Sequence, residues 1–240
     1  MNPQPLSLRQ GGNERRAYFA LAGDAELQAV PARPESILSA SELAHFGGLR
    51  FPLKQQGFLL GRLAAKRALG AFLGEPDMRR IDIRAGVFGQ PLVRHPLADG
   101  AEVSVSHSHG LAVALAYPVE LPMGVDLEIV SVAASGTILG ELQLSAAERT
   151  WLATSGVGET TACGILWTAR EALGKSMKIG LNCPLGTLAL EQLESAGDAA
   201  WMGRYANFPH SRCLSQEIDG RVLSIAMPLA VELTPWPQLR

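Results

Sequence analysis

The sequence predicts an α+β fold, and three observations carry that prediction. Two long stretches, about 54–73 and the one between Thr160 and Gly180, repeat apolar residues at helical spacing. Several shorter segments alternate with period two, and the dipeptides His109-Gly110 and Asp219-Gly220 separate pairs of them as hairpin turns would. Helices and strands are segregated, without the regular βαβ alternation of a Rossmann-type sheet.

Taken in order, the first dozen residues, with Pro3, Pro5, Gly11 and Gly12, read as a frayed end. Residues 17–21 form a short strand and 31–34 a proline-marked loop. Ser39 or Ser41 caps a short helix through Glu42 and Phe46, which Gly47-Gly48 ends. The helix over 54–73 puts Leu59, Leu60, Leu63, Ala64, Leu69 and Phe72 on its core side and Arg62, Lys66 and Arg67 elsewhere. A strand over 81–84 leads to a turn at Phe88-Gly89-Gln90-Pro91, and strands over 102–106 and 111–117 flank His109-Gly110.

Residues 123–130 read as another strand, whose period of two places Asp126 and Glu128 on one face. Ser145 and Glu148 have capping-box spacing and open a helix to about Leu152. The second long helix follows, capped by Thr160 or Thr161 and stopped by Gly180 and Pro184. Strands over 188–190, 213–218 and 222–227 complete the chain.

With 240 residues, the chain suffices for one large domain or two small ones. A hydrophobic share of 47% against 18% charged residues excludes a disordered or fibrous chain. The net charge of −2 leaves no bulk attraction to nucleic acid or anionic membranes, so an anionic ligand has to be held by local cations. Cys163, Cys183 and Cys213 are odd in number and lack a C-x-x-C pair, which argues against a disulfide framework and a structural zinc site. No apolar run of signal-peptide length opens the chain, and 110–127 is broken by Pro118, Glu120 and Pro122. A cytoplasmic protein, without membrane or nucleic-acid partners, is expected.

Three constellations carry chemistry. On the second long helix Trp167, Glu171, Lys175 and Lys178 stand at i, i+4, i+8 and i+11, so an aromatic anchor, an acid and two cations share one side. Upstream lie Gly124-Val125-Asp126-Leu127-Glu128 and Ser106-His107-Ser108. Two carboxylates side by side in an apolar strand repel each other, which a bound cation offsets, and oxygen-only donors favour a hard ion such as Mg²⁺.

These motifs together resemble a 4′-phosphopantetheinyl transferase of the long, Sfp-like type. The family signature is a G-[IV]-D-[ILV]-E strand followed by W-x-x-K-E-[AS]-x-x-K, matched here from Gly124 to Glu128 and from Trp167 to Lys175, with S-H-S and F-G-x-P elements before them. The resemblance runs from about Ser39 to Leu181. It implies two similar α/β halves with mostly antiparallel sheets related by a pseudo-twofold, divided as 1–120 and 121–240, with coenzyme A in the cleft between them and the join near 118–122.

The resemblance also implies the activity: Mg²⁺-dependent transfer of 4′-phosphopantetheine from coenzyme A to a serine of an apo acyl or peptidyl carrier protein, with release of 3′,5′-ADP. Asp126, Glu128 and Glu171 would hold the metal, and Glu171 would accept the serine proton directly or through water. Lys175 would bind the phosphates and steady the leaving group, while Arg62, Ser106 and His107 would contact the coenzyme. Gln90 and Arg170 stand where the family usually has lysine. A monomer is expected. Two other readings are a relative that binds coenzyme A or a carrier without catalysis, favoured by Gln90 and Arg170, and a metal-dependent hydrolase using His107, His109, Asp126 and Glu128, disfavoured because Gly110-Leu111-Ala112 follows His109.

Overall fold

The computed structural model describes residues 2–27, 33–129, 131, 140–197 and 199–239. They form two compact units: Met1–Pro122 together with Val231–Arg240, and Met123–Ala230. The first contains β1 (Gln4–Gln10), β2 (Asn13–Gly23), α1 (Asp24–Leu27), α2 (Ala40–Gly48), α3 (Pro52–Leu73), β3 (Asp82–Ala85), β4 (Pro91–Arg94), β5 (Ala101–Ser108) and β6 (Leu111–Pro118). The second contains β7 (Gly124–Ile129), α4 (Ala146–Thr154), α5 (Glu159–Ser176), β8 (Leu190–Gly197), β9 (Ala200–Tyr205), β10 (Ser211–Ile218) and β11 (Arg221–Pro228). A last strand, β12 (Glu232–Thr234), pairs antiparallel with β1, so residues 231–240 belong to the first unit although a cut in sequence order had left them with the second.

Each unit has a five-stranded antiparallel sheet, in the orders β12-β1-β2-β6-β5 and β7-β11-β10-β9-β8. The fold is therefore α+β, and the units repeat one plan. A strand is followed by a short capped helix, a long helix, and four strands ending in a hairpin beside the first strand. β2, β6 and β5 match β7, β11 and β10 in order and direction. β3 and β4 pair with each other beside β5, where β8 and β9 are part of the main sheet. Both closing hairpins turn on a left-handed pair, His109-Gly110 (φ 44° and 76°) and Asp219-Gly220 (φ 51° and 72°).

The expected frayed N-terminus is instead a hairpin. Leu6 and Leu8 alternate into the core, 2% and 0% exposed, and Gly11 and Gly12, both with positive φ, make the turn between β1 and β2. Ser39 and Ser145 each close a full capping box with a glutamate three residues on. Thr160 and Thr161 do not cap α5: its N-cap is Gly158, and Thr161 Oγ1 donates to Glu217 Oε2 at 3.0 Å. The strand expected over 188–190 meets β8 only at Leu190, with Leu188 in a 3-10 turn, and β9 has no counterpart in the sequence pattern; β8 is an edge strand with mostly exposed residues. Residues 31, 32 and 130, assigned above to a loop and a strand end, lie outside the described residues.

The long helices bury one face each against their sheets. In the first unit Leu59, Leu60, Leu63, Ala64 and Leu69 pack with Ala20 and Ala114; in the second Leu166, Ala169 and Leu173 pack with Leu190 and Tyr205. Each unit also hides an ion pair at the same place. Lys66 of α3, fully buried and not on a solvated face as its spacing had indicated, bonds Glu42 and donates to the carbonyls of Ile37 (2.8 Å) and Met78 (3.1 Å). Arg170 of α5 does the same with Glu148 and the carbonyls of Leu142 and Leu185. Among the described residues no helix is long and apolar enough to cross a membrane.

Candidate active site

The site is built where β7 meets α5. Gly124 opens β7, and a Cβ there would lie 1.9 Å from the Ala172 carbonyl oxygen and 2.6 Å from the Ser176 amide nitrogen. Only glycine permits that approach, which brings the strand against the backbone of the last turns of α5. Two residues along the same face, Asp126 is buried at 1% exposure, and Lys175 reaches down from the helix to it, Nζ to Oδ1 2.5 Å. The same ammonium stands 3.6 Å from Glu171 Oε2, one turn back.

Electrostatics tie Glu128 into this group. Burial raises the Glu171 carboxyl above its ordinary range, the Asp126 and Glu128 carboxylates add to the rise and Lys175 opposes it, leaving the group at about 7. For Lys175 burial works against the ammonium, but Asp126 and then Glu171 outweigh it and hold the pKa above that of an ordinary lysine.

Among the described residues no three His, Cys, Asp or Glu side chains are already gathered as a metal cage. The Lys175 ammonium rests against Asp126 and beside Glu171, and supplies positive charge there itself. The donor set still suits a hard divalent ion, because the carboxylates that lift the Glu171 pKa are oxygen donors whose mutual repulsion such an ion would offset.

Trp167 is half-buried at the edge of the second core, not its inner anchor; that role falls to Leu166, Ala169, Ala172 and Leu173, each 0% exposed. The side of α5 carrying Trp167, Glu171 and Lys175 is a partly wet border. Arg170, next to Glu171, points the other way. Its side chain is 0% exposed and grips Glu148 with two nitrogens, Nε to Oε1 3.2 Å and Nη2 to Oε2 2.5 Å. Glu148 Oε1 also accepts the Leu190 amide at 3.0 Å. The residue standing where the family has lysine is therefore a structural hub, and its partner Glu148 was visible in sequence only as half of a capping box.

Arg62, Ser106 and His107 lie in the first unit. Arg62 Nε stands 3.0 Å from Glu42 Oε1, its Nη2 donates to the Ile83 carbonyl at 3.1 Å, and its guanidinium lies 4.5 Å from the Phe58 ring centre. It also borders a groove of about 310 Å³ with Ser41, His45, Phe58 and Arg84. Ser106 is buried and His107 exposed on opposite faces of β5. His107 Nε2 lies 2.6 Å from where a Cβ of Gly57 would be, so a glycine in α3 makes room for the imidazole. Gln90 accepts the Phe88 amide at 2.9 Å through Oε1 and so braces the β3–β4 loop.

An α+β chain whose second unit sets the D-x-E strand, with Asp126 buried, against a helix bearing glutamate and lysine defines an acid-rich class of site with one cation in it. The sequence model of the 4′-phosphopantetheinyl transferase superfamily matches residues 122–226. Holo-[acyl-carrier-protein] synthases of Streptococcus agalactiae strains, among them NEM316 and 2603 V/R, are 38% identical over 85 residues, covering 33% of this chain and 71% of theirs. Among solved structures, a holo-(acyl-carrier-protein) synthase from Bacillus anthracis in complex with CoA (3′,5′-ADP) is 21% identical, with a TM-score of 0.38, over 49% of this chain and 97% of that one. The Helicobacter pylori holo-[acyl-carrier-protein] synthase in complex with coenzyme A is 20% identical, with a TM-score of 0.36, over 42% and 98%. The chain belongs to the 4′-phosphopantetheinyl transferase superfamily.

Proposed function

We propose that this protein transfers 4′-phosphopantetheine from coenzyme A to the serine hydroxyl of an apo acyl or peptidyl carrier protein in the cytoplasm. The observation that carries the reading is the Lys175 ammonium held by Asp126 and Glu171 inside the matched region. In the reaction the serine oxygen bonds the phosphorus on the pantetheine side of the pyrophosphate, and the bond to the other phosphate breaks, releasing 3′,5′-ADP. The serine proton goes to Glu171, directly or through a water.

Asp126, Glu128 and Glu171 would hold Mg²⁺, which when bound supplies neutralising charge at the pyrophosphate. Lys175 turns its ammonium from the carboxylates to the phosphates and steadies the charge of the leaving 3′,5′-ADP. Ser106, His107 and Arg62 are proposed contacts for the coenzyme.

Intact-mass spectrometry of an apo carrier incubated with this protein, coenzyme A and Mg²⁺, with an EDTA control, tests the reading. One added phosphopantetheine, lost with EDTA, is expected. Glu171→Gln should slow transfer by about 10²–10⁴-fold while melting at or above the wild-type temperature. No mass gain with acyl and peptidyl carriers, coenzyme A still binding, would replace this reading with that of a non-catalytic relative.

A further inference from the structure

One layer between helix and sheet differs in kind between the two units. Ala114 follows the turn glycine Gly110 at the same distance as Ser224 follows Gly220, so the two correspond. Their cross-strand partners correspond as well: Val105 with Ser215, and Ala20 with Asp126. On the helices Ala64 precedes Lys66 as Thr168 precedes Arg170. In the first unit the layer is therefore wholly apolar, made of Ala20, Ala64, Val105 and Ala114. In the second it is Asp126, Thr168, Ser215 and Ser224.

The three hydroxyls are 0% exposed and bond in a row. Ser215 Oγ lies 2.6 Å from Ser224 Oγ, which lies 2.6 Å from Thr168 Oγ1. Counting protons sets the direction. Thr168 donates to the Gly164 carbonyl at 2.8 Å, so it accepts from Ser224, and Ser224 in turn accepts from Ser215. The first unit shows that methyl groups fill such a layer, without the desolvation cost of burying hydroxyls. What hydroxyls add is direction, since a methyl contact slides and a short hydrogen bond does not.

The bridge joins the two elements that carry the site. Ser224 is the cross-strand partner of Asp126, and Thr168 lies three residues before Glu171 and seven before Lys175, on one helical face. We propose that Thr168, Ser215 and Ser224 are positioning residues that fix the spacing of Asp126 against Glu171 and Lys175. The proposal rests on reading those three as the metal and phosphate site.

The test removes the hydroxyl bridge between helix and strand with Thr168→Val/Ser224→Ala in the full chain, beside the conservative Thr168→Ser. Mn²⁺ binding followed by electron paramagnetic resonance in the presence of coenzyme A is the main readout, with melting temperature and carrier modification alongside. The double variant should fold, bind Mn²⁺ about 10–100-fold more weakly and lose kcat in step, with the KM for the carrier unchanged. Thr168→Ser should stay within about threefold of wild type in Mn²⁺ affinity.

A folded double variant with wild-type Mn²⁺ affinity overturns the proposal alone. Should the double variant not fold, Ser224→Ala alone, which removes the bond between strand and helix, takes its place, and unchanged Mn²⁺ affinity in that variant overturns the proposal equally. A wild-type protein that neither binds Mn²⁺ nor modifies a carrier overturns the proposal together with the function it rests on.

Discussion

The two units share a chain plan, yet among the described residues only the second sets Asp126 and Glu171 around one lysine, and the difference begins with one side chain. In the first, Tyr18 of β2 meets Phe72 near the end of α3 edge to face, ring centres 6.4 Å apart, and the aromatic pair spaces strand from helix. The matching positions in the second are Gly124 and Ser176, where strand and helix backbones touch. Removing the aromatic spacer lets carboxylates on β7 and charged groups on α5 come within bonding distance. One topology thus gives an apolar, spaced layer in one place and a close, polar one in the other.

Both units keep their long helix in register with the same device, and breaking it should produce the largest effects. Arg170→Met leaves Glu148 buried without its cation and is expected to cost about 3–5 kcal/mol. Lys66→Met should cost less, about 1–3 kcal/mol, because Arg62 stays 3.0 Å from Glu42 and still answers its charge. Urea melts of the two variants check this, and equal losses would show that Arg62 does not share the load.

Gly124→Ala attacks the contact itself. A methyl group 1.9 Å from the Ala172 carbonyl cannot be absorbed by a rotamer change, so β7 and α5 have to move apart. The expected cost is about 3 kcal/mol, with the Lys175–Asp126 bond lost. The corresponding Tyr18→Ala only empties a half-buried aromatic site and should leave carrier modification intact. If Gly124→Ala keeps wild-type stability and activity, close approach is not what makes the site.

Much of this was legible in the sequence, and what was hidden was hidden for physical reasons. The D-x-E strand, both capping boxes and both hairpin turns declare themselves through local rules. The repeat does not: Leu38-Ser39-Ala40-Ser41-Glu42 and Leu144-Ser145-Ala146-Ala147-Glu148 are alike over too few residues to stand out. The hubs hide further because one uses lysine and the other arginine. β1 reads as frayed although Gly11-Gly12 marks its hairpin with β2, and the β12 pairing that covers its other edge comes from the far end of the chain, which no local pattern reports. Trp167 fitted a helical face, but periodicity alone does not tell the middle of a face from its edge.

The smallest expected effect separates the units by the sign of their response to pH. At the helix position matching Glu171 the first unit has Arg67, which lies 2.9 Å from Glu26. Burial works against the Glu26 carboxylate, but its bonds to Arg67 and the Gly23 amide hold it down at about 2. That group therefore contributes stability that is complete above its ordinary value of 4.5 and fades as pH falls toward 2. Glu171 does the reverse. Raised to about 7 by burial and then by Asp126, it binds more protons folded than unfolded, so stability drops as pH climbs from 4.5 to about 7. The drop should be on the order of 1–3 kcal/mol, tempered by partial solvent exposure. Denaturant melts across pH 3–8 should show the upper slope vanish in Glu171→Gln and the lower one become shallower in Glu26→Gln, since Asp77, Asp82 and Glu75 are also held below their ordinary values, each variant leaving the other slope in place. An upper slope that survives Glu171→Gln would mean that another group titrates there, and that the carboxylate crowding at β7 is weaker than the geometry indicates.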